Sequence, residues 1–237
     1  MELSTIRKPH TVSIALAVLC TGLASLSARA DFTPASFQVE EEKRSFSGLL
    51  VFPDISGDVS IMLMCASQVA TSGKMAETGC MIRNNGDVAF AKAIQAAAKK
   101  ARVTPAVING KKYKVYLQFR VEFIKEGDSK RINVWSNPGD AENIEAYGNE
   151  YIAAQRVIGK EAWMKVCPAR AQFALTARAH VSIEGVASNV SLNYGYGIVP
   201  TGNCQQAIID TILQSPFTPA MADGEPVPSA FVEPFGN

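Results

Sequence analysis

An α+β fold made of two tandem β-β-α-β units, each a small antiparallel sheet with one helix packed on one face, is the architecture this sequence predicts. Three observations predict it. The first is an internal match: Val103-Thr104-Pro105-Ala106 followed by Asn109-Gly110 returns 114 residues later as Phe217-Thr218-Pro219-Ala220 followed by Asp223-Gly224. The second is apolar spacing at helical period over 88–101, with Ile94 in register with Ile208 of a second helical stretch near 203–214. The third is strand alternation over 113–124, where Val115, Leu117, Phe119, Val121 and Phe123 interleave with Lys114, Tyr116, Gln118, Arg120 and Glu122.

Each element follows in order. Asp58 to Ala70 and Met75 to Ile82 read as the two arms of a hairpin turning at Ser72-Gly73. Asn84-Asn85-Gly86-Asp87 is a turn with helix-capping side chains, and Lys99, Lys100 and Arg102 suit the negative end of the helix that follows. Pro105 ends that helix, and Asn109-Gly110 turns the chain into strand 113–124. The second unit repeats the order with Ala174 to Ile183, a turn at Glu184-Gly185, Ala187 to Leu192, the helix, and Val227 to Phe235. Pro228 and Pro234 make that last strand either an edge strand or an irregular one. The expected organisation is a leader at 1–30, an N-terminal arm at 31–56, a first unit at 57–124, a linker with a short helix at 125–160, and a second unit at 161–237.

Residues 1–30 carry Arg7, Lys8 and His10, an apolar run from Val12 to Leu26, and Ala28-Arg29-Ala30, the pattern of a cleavable export signal. The alternative is an uncleaved membrane anchor. Export to a bacterial periplasm is the expectation, and it changes how cysteine reads. Beyond residue 30 stand Cys65, Cys80, Cys167 and Cys204, an even set in an oxidising compartment, so disulfides are favoured over metal or nucleophile.

The formal net charge of +1 removes the basic surplus that a nucleic-acid binder needs. Beyond the leader the sole histidine is His180, so a multi-histidine metal site is excluded. There is no G-x-S-x-G, no phosphate-binding loop and no H-E-x-x-H, and Gly195-Tyr196-Gly197 lacks the third glycine of a dinucleotide fingerprint. His180 reads as a half-exposed strand residue. The expectation is a non-enzyme with no catalytic residue, no cofactor and no metal.

The ordered set of segments resembles the TonB C-terminal domain family. Cys167-Pro168-Ala169-Arg170-Ala171 is similar to its Tyr-Pro-x-x-Ala entry, with Cys in place of Tyr. Val181 to Leu192 around Glu184-Gly185 follows its strand–turn–strand pattern, and Pro219 with Asp223-Gly224-Glu225-Pro226-Val227 its helix end and final turn. The first unit shares Gly73, Cys80, Pro105 and Gly110. The resemblance implies a module that takes up an extended protein segment by strand addition. The partner would be a protein or peptide of the cell envelope, such as an outer-membrane transporter, with no nucleic acid and no small-molecule substrate. Strand 113–124, long and free of proline, is the expected docking edge, through Tyr113, Val115, Tyr116, Leu117, Gln118, Phe119 and Val121. The Pro-rich spacer of energy transducers and their membrane-helix Ser–His arrangement are not reproduced. A membrane-tethered transducer, if the leader stays, and an envelope scaffold are the alternatives.

A hairpin centred on Ser72-Gly73 places Cys65 opposite Cys80, near disulfide range. That leaves Cys167 and Cys204, beside the second unit's entry and helix, as the other pair.

Overall fold

The computed structural model describes residues 31–37, 42–159, 161–167, 173–197 and 199–236. The leader, and Pro168 with the rest of the entry segment to residue 172, lie outside the described residues. From the N-terminus come β1 (Phe32–Thr33), a 3-10 turn (Glu42–Arg44), α1 (Phe46–Leu49), β2 (Val59–Val69), β3 (Met75–Cys80), α2 (Asp87–Lys100), β4 (Ala106–Ile108), β5 (Lys111–Tyr113), β6 (Val115–Glu126), β7 (Ser129–Trp135) and α3 (Ala141–Tyr147). There follow β8 (Gln155–Arg156), α4 (Trp163–Val166), β9 (Phe173–Val181), β10 (Ala187–Gly197), α5 (Gly202–Gln214), β11 (Phe217–Thr218), β12 (Ala220–Ala222), β13 (Glu225–Val227) and β14 (Ser229–Gly236). The class is α+β, with antiparallel sheets throughout.

Two sheets organise the molecule, ordered β3-β2-β6-β7 and β10-β9-β14. The hairpin of each sheet is followed by a helix, then a three-residue-strand hairpin (β4–β5, β12–β13), then a strand that returns beside the hairpin's first arm. Register agrees in detail. Val69 faces Val115 as Val181 faces Ser229, and Ala106 faces Tyr113 as Ala220 faces Val227.

The turns agree as well. Gly73 and Gly185 both have positive φ, and both offer their carbonyls to a later N–H, that of Val103 at 3.0 Å and that of Phe217 at 3.2 Å. A Cβ on either glycine would overlap the carbonyl oxygen of the same partner, so no other residue fits there. Asn109-Gly110 and Asp223-Gly224 each place two successive residues at positive φ, the turn that joins tightly twisted hairpins. Pro105 and Pro219 stand immediately before these small hairpins. The hairpins themselves were not expected: 111–113 is a strand of its own and not the start of β6.

The first core is aromatic. Phe46, Phe90, Phe119 and Phe123 are buried with Phe37 and Phe52 packed against them, and neighbouring rings lie 4.8–6.0 Å apart, mostly edge to face. Leu63, Cys65 and Val69 point to this core from β2, and Ile94, Ala97 and Ala98 meet them from α2. The second core sets Leu175, Ala177, Ala179 and Val181 of β9 under Ile208 and Ile212 of α5, with Trp163, Phe217, Phe231 and Phe235 around them.

Two expectations need correcting. Residues 129–135, read as linker because they are charged, form β7 and complete the first sheet from Arg120↔Trp135 to Glu126↔Ser129. Their Ile132 and Val134 pack on the core, while the charged residues face away or lie over a ring, as Lys130 does over Phe52. The rest of the stretch includes the expected helix, α3, capped by Asp140, and β8, which pairs with β11. The arm also folds inward: β1 pairs with β4, and Phe37, Phe46 and Phe52 belong to the first core.

Candidate functional site

Whether a β-sheet can take up another strand depends on its edges, since an edge strand presents unpaired N–H and C=O groups. The expected docking strand, β6, is not an edge. It pairs with β2 over its length and with β7 from Arg120 to Glu126. On the same side, Val115 bridges Val157 and the Lys114 carbonyl accepts the N–H of Ile158. Leu117, Phe119 and Val121 are fully buried, and Tyr113 sits in β5 opposite Ala106. The seven residues named for partner binding therefore belong to the core or to contacts within the chain. The alternation that suggested a wet face is real, but Lys114 alone of the five residues on that face is exposed, Tyr116 and Glu122 are half-buried, and Gln118 and Arg120 are buried.

What covers them joins the two sheets. Gln118 donates its amide to the carbonyl of Val232 on β14. Burial beside Glu233 pushes the Tyr116 phenol well above its ordinary range. Arg156 holds Glu233 through two bonds of 2.7 Å and reaches Glu161 at 3.0 Å. Burial weighs against charge on Arg156, yet these carboxylates raise its pKa; burial likewise pushes the Glu233 carboxyl up, against the pull of Arg156, and the two-bond geometry holds the side chains together. Arg120, whose pKa burial lowers, lies over the Trp135 ring at 4.6 Å and donates to Asn137 and Asn149 at 2.7 and 2.8 Å.

The edge of β14 is closed by side chains that imitate a strand. Asn143 of α3 donates to the Ala230 carbonyl at 2.8 Å and accepts its N–H at 3.0 Å. Gln118 takes the next outward carbonyl, at Val232, and Pro234 has no N–H to offer. At the far ends of the first sheet, β3 is six residues long, and β7 carries Lys130 and Arg131. Short strands and basic side chains are both ways of blunting an edge.

The remaining end is β10, eleven residues without a charge, ASNVSLNYGYG. Its hairpin closes with the Ser182 N–H on the Val186 carbonyl at 3.0 Å. A bulge at Asn189, at positive φ, then shifts the register, after which Ser191, Leu192, Asn193 and Tyr194 face Arg178, Ala177, Thr176 and Leu175 without interruption. Alternation of an antiparallel ladder from that closing pair sends the backbone groups of Leu192 and Tyr194 away from β9, to the open side. α5 packs over the inner face of the hairpin, so the edge rests on a covered sheet.

No family model, curated protein or solved structure matches this chain.

Beside β10 the outer face of the second sheet forms an open cleft of about 220 Å³, lined by Glu142, Arg178, His180, Asn189, Ser191 and Ala230. Arg178 is bonded to Glu142 and lies 3.4 Å from Asp140, so the cleft offers polar groups with its cation already balanced. His180 is exposed there, opposite Ser188, whose hydroxyl donates to the His180 carbonyl at 3.4 Å and not to its ring.

Both cysteine pairs are bonded, Cys65–Cys80 across the first hairpin and Cys167–Cys204 between α4 and α5. The first pairing holds for a reason the sequence hid. The turn is one residue tighter than expected, closing Ala70 on Lys74, which alone would set Cys65 opposite Gly79. A bulge at Glu77, at positive φ, restores Cys65↔Cys80. Two disulfides fit an oxidising compartment, and among the described residues no helix is long and apolar enough to cross a membrane.

Proposed function

We propose that this chain is an exported, non-enzymatic binding module of the TonB C-terminal domain kind, built as two tandem copies of one unit. It takes up an extended segment of a cell-envelope partner by strand addition, and the docking strand is β10 in place of β6. The observation that carries the reading is the contrast among sheet ends: β14 is plugged by Asn143 and Gln118, β3 is short, β7 is charged, and β10 is long, uncharged and, among the described residues, paired on one side alone. Main-chain bonds to Leu192 and Tyr194 supply affinity without demanding charge. The neighbouring cleft gives the partner's side chains a polar rim.

The shared register, the paired glycines and the two small hairpins support descent of both units from one ancestor. Two disulfides support a periplasmic setting, with residues 1–30 as the export signal. An outer-membrane transporter's periplasmic N-terminal segment is the partner class the resemblance suggests.

Calorimetric titration of residues 31–237 with synthetic peptides of such segments tests this. Binding is expected in the native protein and lost in Tyr194→Pro, which removes one outward N–H and no ladder bond. Equal affinity of the two proteins excludes β10 as the docking strand.

A further inference from the structure

The outer face of the first sheet carries a feature that neither the fold nor strand addition uses. The alternation that sends Leu63 and Cys65 of β2 into the core turns Met62 and Met64 the other way. Met81, the residue after β3, donates its N–H to the Met64 carbonyl at 2.9 Å, so the ladder runs one residue further and sets Met81 directly across from Met64. Met62 is the diagonal neighbour. Facing positions in such a ladder have Cβ atoms about 4.5–5.5 Å apart and diagonal ones about 7–8 Å, both within reach of a long side chain.

Methionine ordinarily goes inside, yet Met62 is 48% and Met81 55% exposed. The second sheet provides a comparison at the same register positions, where Ala174, Thr176 and Asn193 stand. The ladder therefore does not require large apolar side chains there. The Cys65–Cys80 bond adjoins two of the three, following Met64 on one strand and preceding Met81 on the other, and so fixes the spacing of the strands that carry them. On the β6 side, Met62 faces Glu122, a carboxylate that accepts from Asn133 at 2.8 Å, and Met64 faces Arg120, whose guanidinium is committed to Asn137, Asn149 and the Trp135 ring. On the β3 side, Arg83 is exposed, with its N–H held by Asp87.

The geometry points to a surface site for a soft monovalent cation, with cuprous ion as its chemical class, held by the thioether sulfurs of Met62, Met64 and Met81. Thioethers select Cu(I) over the harder divalent ions, which prefer imidazole or oxygen. They carry no proton to lose, so binding is insensitive to acid that empties histidine and carboxylate sites. Glu122 supplies a negative charge beside the cation.

Silver(I), a redox-inert stand-in, and Cu(I) under anaerobic ascorbate are the probes, added to residues 31–237 carrying methyl-labelled methionine. The methyl signals of Met62, Met64 and Met81 are expected to shift saturably with one ion per chain, and to do so equally from about pH 7 to about pH 5. Met164, 58% exposed and distant in sequence from the others, is the internal control and should not saturate. The variant M62L/M64L/M81L should keep its melting temperature and lose at least about tenfold in affinity. Shifts that never saturate, that appear equally on Met164, or that survive the triple substitution overturn the site.

Discussion

The two sheets share a register and differ in what locks them. At the third-strand position facing the hairpin's first arm, Phe119 stands opposite Cys65 in one and Glu233 opposite Ala177 in the other. Phe119 joins an aromatic cluster with Phe37 and Phe46, at 5.2 and 5.5 Å. Glu233 is buried too, but is paired with Arg156 and so ties its strand to β8. Where the first hairpin has Cys65–Cys80, the second has Ala177 opposite Leu192 and places its disulfide between helices. The first sheet gains a fourth strand, and among the described residues the second ends on an open one. Similar strand orders thus support one sheet with four strands and another whose end strand β10 pairs on one side among the described residues, and the proposed strand addition rests on that difference.

Substitution at the shared position should give the largest effects. Phe119→Ala leaves a cavity among rings and is expected to cost about 3–5 kcal/mol in urea unfolding. Glu233→Ala leaves Arg156 with Glu161 alone and should cost a similar ~3–5 kcal/mol, while Glu233→Leu with Arg156→Met recovers most of it. If the double change is as damaging as the single, the pair does more than compensate its own burial.

The disulfides come next. Their sequence separations are 15 and 37 residues, so chain entropy predicts losses of about 3 kcal/mol for Cys65→Ser/Cys80→Ser and about 4 kcal/mol for Cys167→Ser/Cys204→Ser. Reversal of that order would mean that native contacts, not loop length, set the difference.

Alkali should loosen the seam between the sheets. Burial raises the phenols of Tyr116 and Tyr151 above their ordinary 10.0, so the folded state holds these protons more tightly than the unfolded chain does. The resulting stability is complete below pH 10.0 and is lost as pH rises from there toward the folded-state values. Tyrosinate absorbance from these two should appear together with loss of the far-ultraviolet signal. Ionisation of Tyr116 in a fully folded protein at that pH would contradict its burial.

The smallest effect is expected at the open edge. Tyr194→Pro should change stability by less than about 1 kcal/mol, because the N–H it removes faces water. The same substitution on β9, at Ala177, should unfold the hairpin, since β9 is bonded on both sides.

Much of this was legible in the chain. The glycine turns, both helices and the hairpin arms follow from local chemistry, because φ > 0 and helical period are properties of neighbouring residues; the cysteine pairs match expectation, but Cys65–Cys80 does so through a tighter turn offset by a bulge at Glu77, and Cys167–Cys204 spans 37 residues. β7 was not, since its exposed Lys130 and Arg131 outweigh the two apolar residues that pack. The position of β6 was not legible either. Alternation shows that Tyr116, Gln118 and Arg120 share a face, but what covers that face is a matter of residues 135–161 and β14, far away in sequence. The open edge at β10 is not legible either, because openness depends on where every other strand of the chain pairs.

Amide chemical-shift mapping of residues 31–237 during titration with a transporter-derived peptide tests the central claim most directly. Shifts concentrated at 187–197, strongest at Leu192 and Tyr194, are the result expected of a β10 docking edge. Shifts centred on 115–121, or none in either sheet at about millimolar peptide, the weak end of specific recognition, would contradict it.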